Sequence, residues 1–561
     1  MRFAPLLLLA AGLAAYHNSL DGPFIFDDLR SIRDNPHIRH LWPVADAISA
    51  PRKSALNGRP VPSLSFAVNY ALGGLNVRGY HTLNLAIHLA SALLVYGLVR
   101  RTLSEGVLRE RYRDVAARLA TAVALIWMIH PLLTESVTYI VQRTELLMGF
   151  FLLGTLYCFL RALRSSRPRI WFVAAVGSCA LGMGCKEVMV VAPLLLFLYD
   201  RCFIAGSFRR AWQERWKLHA SLAATWLILA PLVIHGQSRT GPASMFLEAL
   251  TPWSYAKTQC GVILHYLRLS AWPSPLVLDY EDWPVAGSLL SILPAALSIV
   301  GLLVATLWAL RAFPVWGFLG AWFFLILAPT SSFLPILTEV AAERRMYLPL
   351  LAVVLVLVLL VHEALRRFAN QQGWRPPARG TIGTALFVAV SASLGFATIS
   401  RNADYGSELA IWGDTVAKRP SNARARHNLG FALGNVGRLE EAMAQYGEAI
   451  RLKPDYANVH FNMGVTRAVQ GRFRDAIPHY REAVRLEPGY TAAHHGLGNA
   501  LVELGGLEEA IGHHREAVRI KPGDPQFRRG LAVALHRQGR SEEAKTHLLE
   551  AERLERAASV R

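Results

Sequence analysis

Asp27 and Asp28 are the first residues of the chain whose type and spacing could do chemistry. They close the run Gly22-Pro23-Phe24-Ile25-Phe26-Asp27-Asp28, with Ile32, Asp34, Asn35 and Pro36 just beyond. Two adjacent carboxylates next to an aromatic-aliphatic run can act as a general base, as a metal-binding pair or as a helix N-cap. What surrounds them must decide which.

Four later segments carry ionisable groups at the ends of apolar stretches. One runs from His130 to Arg143 and includes Glu135 and Gln142, with Glu145 just after; the next is Cys185-Lys186-Glu187. Asp279 opens the run Asp279-Tyr280-Glu281-Asp282-Trp283, and Glu343-Arg344-Arg345-Met346-Tyr347 closes a segment that begins at Glu339. Charges at such places are costly unless they line a wet cavity or pair with one another. If these segments share one side of a membrane, acids and bases converge there. That suits an anionic, lipid-linked substrate: Arg143, Lys186, Arg344 and Arg345 are candidates to hold phosphate oxygens, while a carboxylate takes a proton from an attacking hydroxyl. The structural alternative is snorkelling, with ion pairs such as Lys186–Glu187 or Glu343–Arg345. Scattered histidines (His81, His88, His235, His265) and the pairs His494-His495 and His513-His514 have no evident third ligand, so no metal site is expected.

The elements that must position these groups follow from composition. The chain has 561 residues, 53% of them hydrophobic, and a mean hydropathy of +0.28, too apolar for an ordinary soluble protein of several domains. Apolar stretches near 3–18, 80–99, 117–132, 144–163, 170–184, 187–200, 219–234, 287–310, 315–330, 347–365 and 380–398 predict eleven membrane spans. The first of these also has the basic start and small residues of a signal peptide, and either way the N-terminus is cytoplasmic. The net charge of +19 sits mainly in residues 1–402, which hold 36 Lys/Arg against 20 Asp/Glu. Segments 100–118, 161–169, 201–217 and 366–379 carry most of it and are read as cytoplasmic, which leaves the acid-base segments outside. A twelfth apolar stretch, 256–272, is read as interfacial or re-entrant, because spanning would break this alternation. No groove-reading or stacking motif accompanies the basic charge, so nucleic acid is not an expected partner. The cysteines (Cys158, Cys179, Cys185, Cys202, Cys260) show no CxxC pair and are read as buried apolar side chains.

After residue 402 a period of 34 appears. Pro420, Pro454, Pro488 and Pro522 follow it, as do Gly430, Gly464, Gly498 and Ala532; Ala442, Ala476, Ala510 and Ala544; and Ala449, Ala483, Ala517 and Ala551. This is tetratricopeptide spacing, with small residues where paired helices cross and a proline closing the second helix. The predicted organisation is a polytopic membrane domain over 1–402 and a connecting half-repeat over 403–422. Repeats at 423–456, 457–490, 491–524 and 525–558 complete the chain to 561. The half-repeat, Glu408 to Lys418 with Trp412, is expected to dock the array on the last span. Such arrays offer a concave surface to peptides or partner helices.

Taken in order, Phe24 to Asp28, His130 to Arg143, Gly184 to Glu187, Glu343 to Pro349 and the repeats resemble the TMTC family of transmembrane and tetratricopeptide repeat-containing O-mannosyltransferases, nearly end to end. One departure is Arg344, where animal members usually carry histidine; another is the compact stretch from Gly236 to Asp282. The resemblance implies an all-α, GT-C-like membrane glycosyltransferase followed by a tetratricopeptide solenoid. It further implies a polyprenyl-phosphate sugar as donor substrate, with mannose the leading sugar and a protein or other hydroxyl as acceptor, docked by the repeats. No cofactor is specified, and a divalent metal is left open. By the same resemblance Asp27 and Asp28 lie at the catalytic centre, one of them as base. Arg143, Lys186, Arg344 and Arg345 are then candidates for the donor phosphate, and His130, Glu135, Gln142, Glu187, Asp279, Glu343 and Tyr347 support the site. The expected location is a bacterial inner membrane, or the endoplasmic reticulum in a eukaryote, with the repeats periplasmic or lumenal. Two other classes stay open at this stage: a membrane-anchored scaffold built on the repeats, and a transporter.

Overall fold

The computed structural model describes residues 3–51, 53–236, 251–332, 339–372 and 376–559. The described residues are helical without any strand, and the chain divides into two compact units, Met1–Ile411 and Trp412–Arg561.

In the first unit, local chemistry starts the helices where the apolar runs begin. The Asn76 side chain accepts from the Arg78 amide and caps Val77–Ser104, and Ser288 caps Leu289–Ala312 in the same way. Proline in the first turn opens Pro60–Gly73, Pro168–Met183, Pro314–Leu327 and Pro349–Gln371, where its missing N–H has no intrahelical partner to lose. Among the described residues, seven helices are long and apolar enough to cross a membrane: Val77–Ser104, Ile140–Ala162, Glu187–Ala205, Phe208–Ile234, Leu290–Ala312, Pro349–Gln371 and Gly380–Asp404.

The eleven expected stretches are thus helical, but four of them differ from single straight spans. Ala116–Met128 and Pro131–Thr138 form a pair bent by 54°; Pro131 disfavours helical backbone at His130, so the helix breaks there. Ala4–Tyr16, Pro168–Met183 and Pro314–Leu327 have 13, 16 and 14 residues, short of the ~20 that cross a bilayer unaided. Pro252–Ala271 is a 20-residue helix that is not among the seven. The expected compact middle stretch lies partly outside the described residues, at 237–250.

The core of this unit gathers on polar-tipped aromatics. Trp127 Nε1 donates to the Tyr347 carbonyl at 2.8 Å, and the Tyr347 hydroxyl lies 3.0 Å from His88 Nδ1. A Cβ at Gly149 would come within 2.5 Å of the Tyr347 ring, so the absent side chain lets the helix Arg143–Ala162 approach the segment that ends at Tyr347. All five cysteines are free.

The second unit is a stack of helix pairs: Ala423–Asn435 with Leu439–Leu452, Ala457–Val469 with Phe473–Leu486, Thr491–Glu503 with Leu507–Ile520, and Pro525–Arg537 with Ser541–Ser559. The small residues sit where the helices cross. A Cβ at Gly430 would lie 2.5 Å from the Tyr446 ring and one at Gly464 2.7 Å from Tyr480, while Ala442, Ala449, Ala476 and Ala483 are buried. A further 34-residue series marks the turn inside each pair: Gly437, Gly471, Gly505 and Gly539 all have positive φ, between 72° and 87°, the left-handed helix-terminating position that glycine alone takes without strain.

Candidate active site

Asp27 and Asp28 stand in a turn made by their own neighbours. Phe26 has φ +47°, an uncommon conformation for a bulky side chain and one that concentrates at functional sites. It reverses the chain so that the Asp28 amide donates to the Ile25 carbonyl at 2.9 Å. The Asp28 carboxylate then closes the turn by accepting from the Ile25 amide at 3.1 Å and from the Val141 amide at 2.7 Å. Asp28 is fully buried, and burial pushes its carboxyl well above the usual carboxylate range despite those amide bonds. Asp27 is only half-buried. Its amide donates to the Tyr139 hydroxyl at 2.8 Å.

The segment from His130 to Arg143 is pinned from several sides. His130 Nδ1 accepts from the Leu132 amide at 3.2 Å and its Nε2 faces the Ser270 carbonyl at 3.2 Å, so the imidazole is spent on capping the short helix that follows. Asn84 donates to the Val137 and Ile140 carbonyls at 3.3 and 3.1 Å. Arg143 is wholly buried, donating to Asn84 Oδ1 at 2.7 Å, to the Tyr80 carbonyl at 3.0 Å and to the Ser65 carbonyl at 3.2 Å, with its guanidinium 4.2 Å from the Phe66 ring centre. Gln142 is buried beside it.

Two cations near this segment are held by carboxylates. Arg344 bonds Glu135 through both its amide, at 2.8 Å, and its guanidinium, and reaches Glu339 with the other guanidinium nitrogen. Arg344 lies within electrostatic reach of Tyr139, as do Asp27 and Asp28. Lys186 donates to Glu145 at 2.6 Å and feels Arg344 and Arg59 in turn; burial lowers its ammonium. Glu187, offered as a structural partner for Lys186 under the alternative reading, receives Arg59 at 3.2 Å. The expected Glu343–Arg345 pair is likewise replaced. Glu343 accepts from the Val277 amide at 2.6 Å and the Tyr280 hydroxyl at 2.7 Å. Arg345 donates to the carbonyls of Thr330, Val340 and Glu339 at 3.1, 3.0 and 2.6 Å. Backbone groups left unpaired by these irregular segments claimed both side chains. Burial raises the Glu343 carboxyl to about 8. Asp279 is buried in the loop that carries Tyr280, and Tyr347 lies in the aromatic core described above.

Several contributors were not singled out from sequence. Asn84 sits inside an apolar run, where one polar residue gives no distinctive signal, and Tyr139 and Glu145 belong to the His130 segment without a role assigned to them from sequence. Tyr255, Gln259 and Tyr266 do share a helical face, four and seven residues apart, and the structure shows why: Tyr255 donates to the Thr330 carbonyl at 2.7 Å, Gln259 to the Val340 carbonyl at 3.0 Å, and Tyr266 accepts from the Ala342 amide at 2.8 Å. The helix Pro252–Ala271 is therefore the bed on which the arginine-bearing segment lies. Among the described residues, no group of three or more His, Cys, Asp or Glu is arranged to hold a metal ion.

A polytopic helical unit with a buried acid-base cluster, followed by a tetratricopeptide array, is the class that fold and site define. Residues 435–471 match the family described as TPR repeat and residues 461–525 the family described as Tetratricopeptide repeat. Over 78% of its length the chain is 24% identical to the protein O-mannosyl-transferase Tmtc3 of Drosophila melanogaster and to TMTC3 of Mus musculus, covering 54% and 50% of those proteins. Over 35% of its length it is 33% identical to TMTC2 of Mus musculus, covering 24% of it. The resemblance to TMTC proteins thus holds across both units, and the chain spans about half the length of the TMTC3 relatives it matches. Among solved structures, a crystal structure of MamA covers 27% of this chain and 90% of its own, at 20% identity and a TM-score of 0.26.

Proposed function

We propose that the chain is an integral membrane glycosyltransferase that moves a sugar, mannose first among candidates, from a polyprenyl phosphate to a hydroxyl of a protein on the outer side of the membrane. The observation that carries this reading is the set Asp27–Tyr139–Arg344, with Lys186 within electrostatic reach of Arg344. Tyr139 lies within electrostatic reach of both the Asp27 carboxylate and the Arg344 guanidinium, which supports a carboxylate working near a cation.

In this reading Asp27 is the base. Asp28 has both carboxylate oxygens engaged by backbone amides, whereas Asp27 stands half-buried at the same turn. The acceptor hydroxyl attacks the anomeric carbon, its proton passes to the Asp27 carboxylate, and the anomeric carbon–oxygen bond breaks with the electron pair leaving on the polyprenyl phosphate. Lys186 and Arg344 stabilise that departing charge, exchanging Glu145, Glu135 and Glu339 for phosphate oxygens. Arg143 and Arg345 are set aside as phosphate ligands, because their donors already hold protein carbonyls and Asn84; their work is to fix the segments that carry the site.

Orientation is supported by where the arginines fall. Val77–Ser104 ends at Arg100 and Arg101, Ile140–Ala162 at Arg161, and Glu187–Ala205 at Arg201; each begins at the acid-base cluster. The positive-inside bias then favours an outward-facing cluster.

The test is purified chain in liposomes, supplied with polyprenyl-phosphate mannose or glucose carrying labelled sugar. Release of free polyprenyl phosphate together with labelled protein is the expected result. No release with any sugar, under conditions where the chain stays folded, overturns the reading.

A further inference from the structure

The tetratricopeptide unit carries histidines where the two helices of a repeat face each other. In the third repeat His494 lies on Thr491–Glu503 and His513 on Leu507–Ile520, and their Nδ1 atoms are 3.1 Å apart. His494 Nε2 lies 3.0 Å from the Pro488 carbonyl oxygen. A carbonyl only accepts, so Nε2 carries the proton and Nδ1 presents a lone pair. His513 Nε2 faces Glu509 Oε1 at 3.7 Å, a carboxylate that Arg481 also holds at 2.8 Å, which favours the same tautomer. In that pair of tautomers both Nδ1 lone pairs border the same space, and a cation held off the line between them can bind both.

The spacing tells which cation fits. Imidazole–metal bonds of about 2.05 Å set two ligand nitrogens about 2.9 Å apart at a right angle and about 3.3 Å apart at the tetrahedral angle; 3.1 Å lies between. Metal-bound histidines also hand their other ring N–H to a carbonyl or carboxylate, which orients the ring and raises its basicity. Pro488 and Glu509 stand in those two positions.

We propose that His494 and His513 bind a divalent transition ion of the kind imidazole prefers, Zn²⁺ or Cu²⁺, through their Nδ1 atoms. Two protein ligands leave coordination positions for water or for a side chain of a docked protein segment. One repeat earlier the same parts recur: His460 and His479, with ring centres 6.4 Å apart, His460 Nε2 3.4 Å from the Pro454 carbonyl, and Asp475 where Glu509 stands. That pair is more widely spaced, so weaker binding is expected there.

The experiment is competition for Zn²⁺ between a fluorescent chelator and the full chain in detergent, without an affinity tag, with Cu²⁺ electron paramagnetic resonance as a second readout. His513→Ala is expected to weaken Zn²⁺ binding at least about tenfold and to simplify the nitrogen hyperfine pattern of bound Cu²⁺. His513 is partly exposed, so its loss leaves the fold standing; His494→Gln, checked by thermal melting, is the second variant. Wild-type Zn²⁺ affinity in both variants overturns the proposal. So does a wild-type chain that takes up no metal at this pair and shows a shared proton only.

Discussion

Asp27 and Asp28 are chemically the same and one peptide apart, yet their surroundings differ: the Asp28 carboxylate is fully buried and accepts from the amides of Ile25 and Val141, while Asp27 is half-buried. The pair was legible in the sequence because two carboxylates beside an apolar run are rare. Their division of labour was not, because it depends on Val141, more than a hundred residues away. The same holds for Arg143 and Lys186, two cations of equal promise in sequence, of which one holds backbone carbonyls and the other a single carboxylate. Glu343 supplies a prediction at this scale. Its carboxyl is raised from an ordinary 4.5 to about 8 by burial, so between those values the folded chain holds a proton that the unfolded chain has released. Stability from this group is present below pH 4.5 and is lost as pH rises through 8. Glu343→Gln mimics the protonated form, and its melting temperature is expected to fall less than that of the wild type between pH 5 and pH 8.5. Identical slopes would place the proton elsewhere.

The helix pairs of the array were readable because one chemical requirement recurs at a fixed interval. Glycine or alanine must stand wherever two backbones approach, and three series showed it, with a proline series beside them. The left-handed glycines at 437, 471, 505 and 539 follow the same interval and went unread, since glycine at a helix end is too common to stand out alone. The broken helix around His130 was harder: hydropathy averages over a bend, and the run looks like one span. Two glycine substitutions separate crossing positions from bystanders. Gly464→Ala puts a Cβ 2.7 Å from the Tyr480 ring and is expected to lower the melting temperature of the array. Gly447→Ala lies in a helix interior with nothing within 4 Å, and helix propensity should stabilise it by up to about 1 kcal/mol. Equal effects in calorimetry would contradict the packing described for Gly464.

At the scale of the whole molecule the net charge of +19 acquires a direction. Helices run from the acid-base cluster toward arginines, so the charge marks the side on which the cluster is not found. A pair of cysteine substitutions checks this: Ser288→Cys and Ser166→Cys are both exposed positions, and an impermeant thiol reagent applied to intact cells should label the first at once and the second only after permeabilisation. The reverse order would turn the chain over in the membrane. The central claim, that sugar transfer runs through Asp27, is tested most directly by comparing Asp27→Asn with Asp28→Asn in the same liposomes at equal amounts of folded protein. Asp27→Asn should keep the wild-type melting temperature and lose transfer by about a hundredfold or more. Asp28→Asn should melt earlier, by the ~1–3 kcal/mol that a buried amide left without its acceptor costs, because one side of its amide is a donor facing a donor. Undiminished transfer by Asp27→Asn would contradict the account.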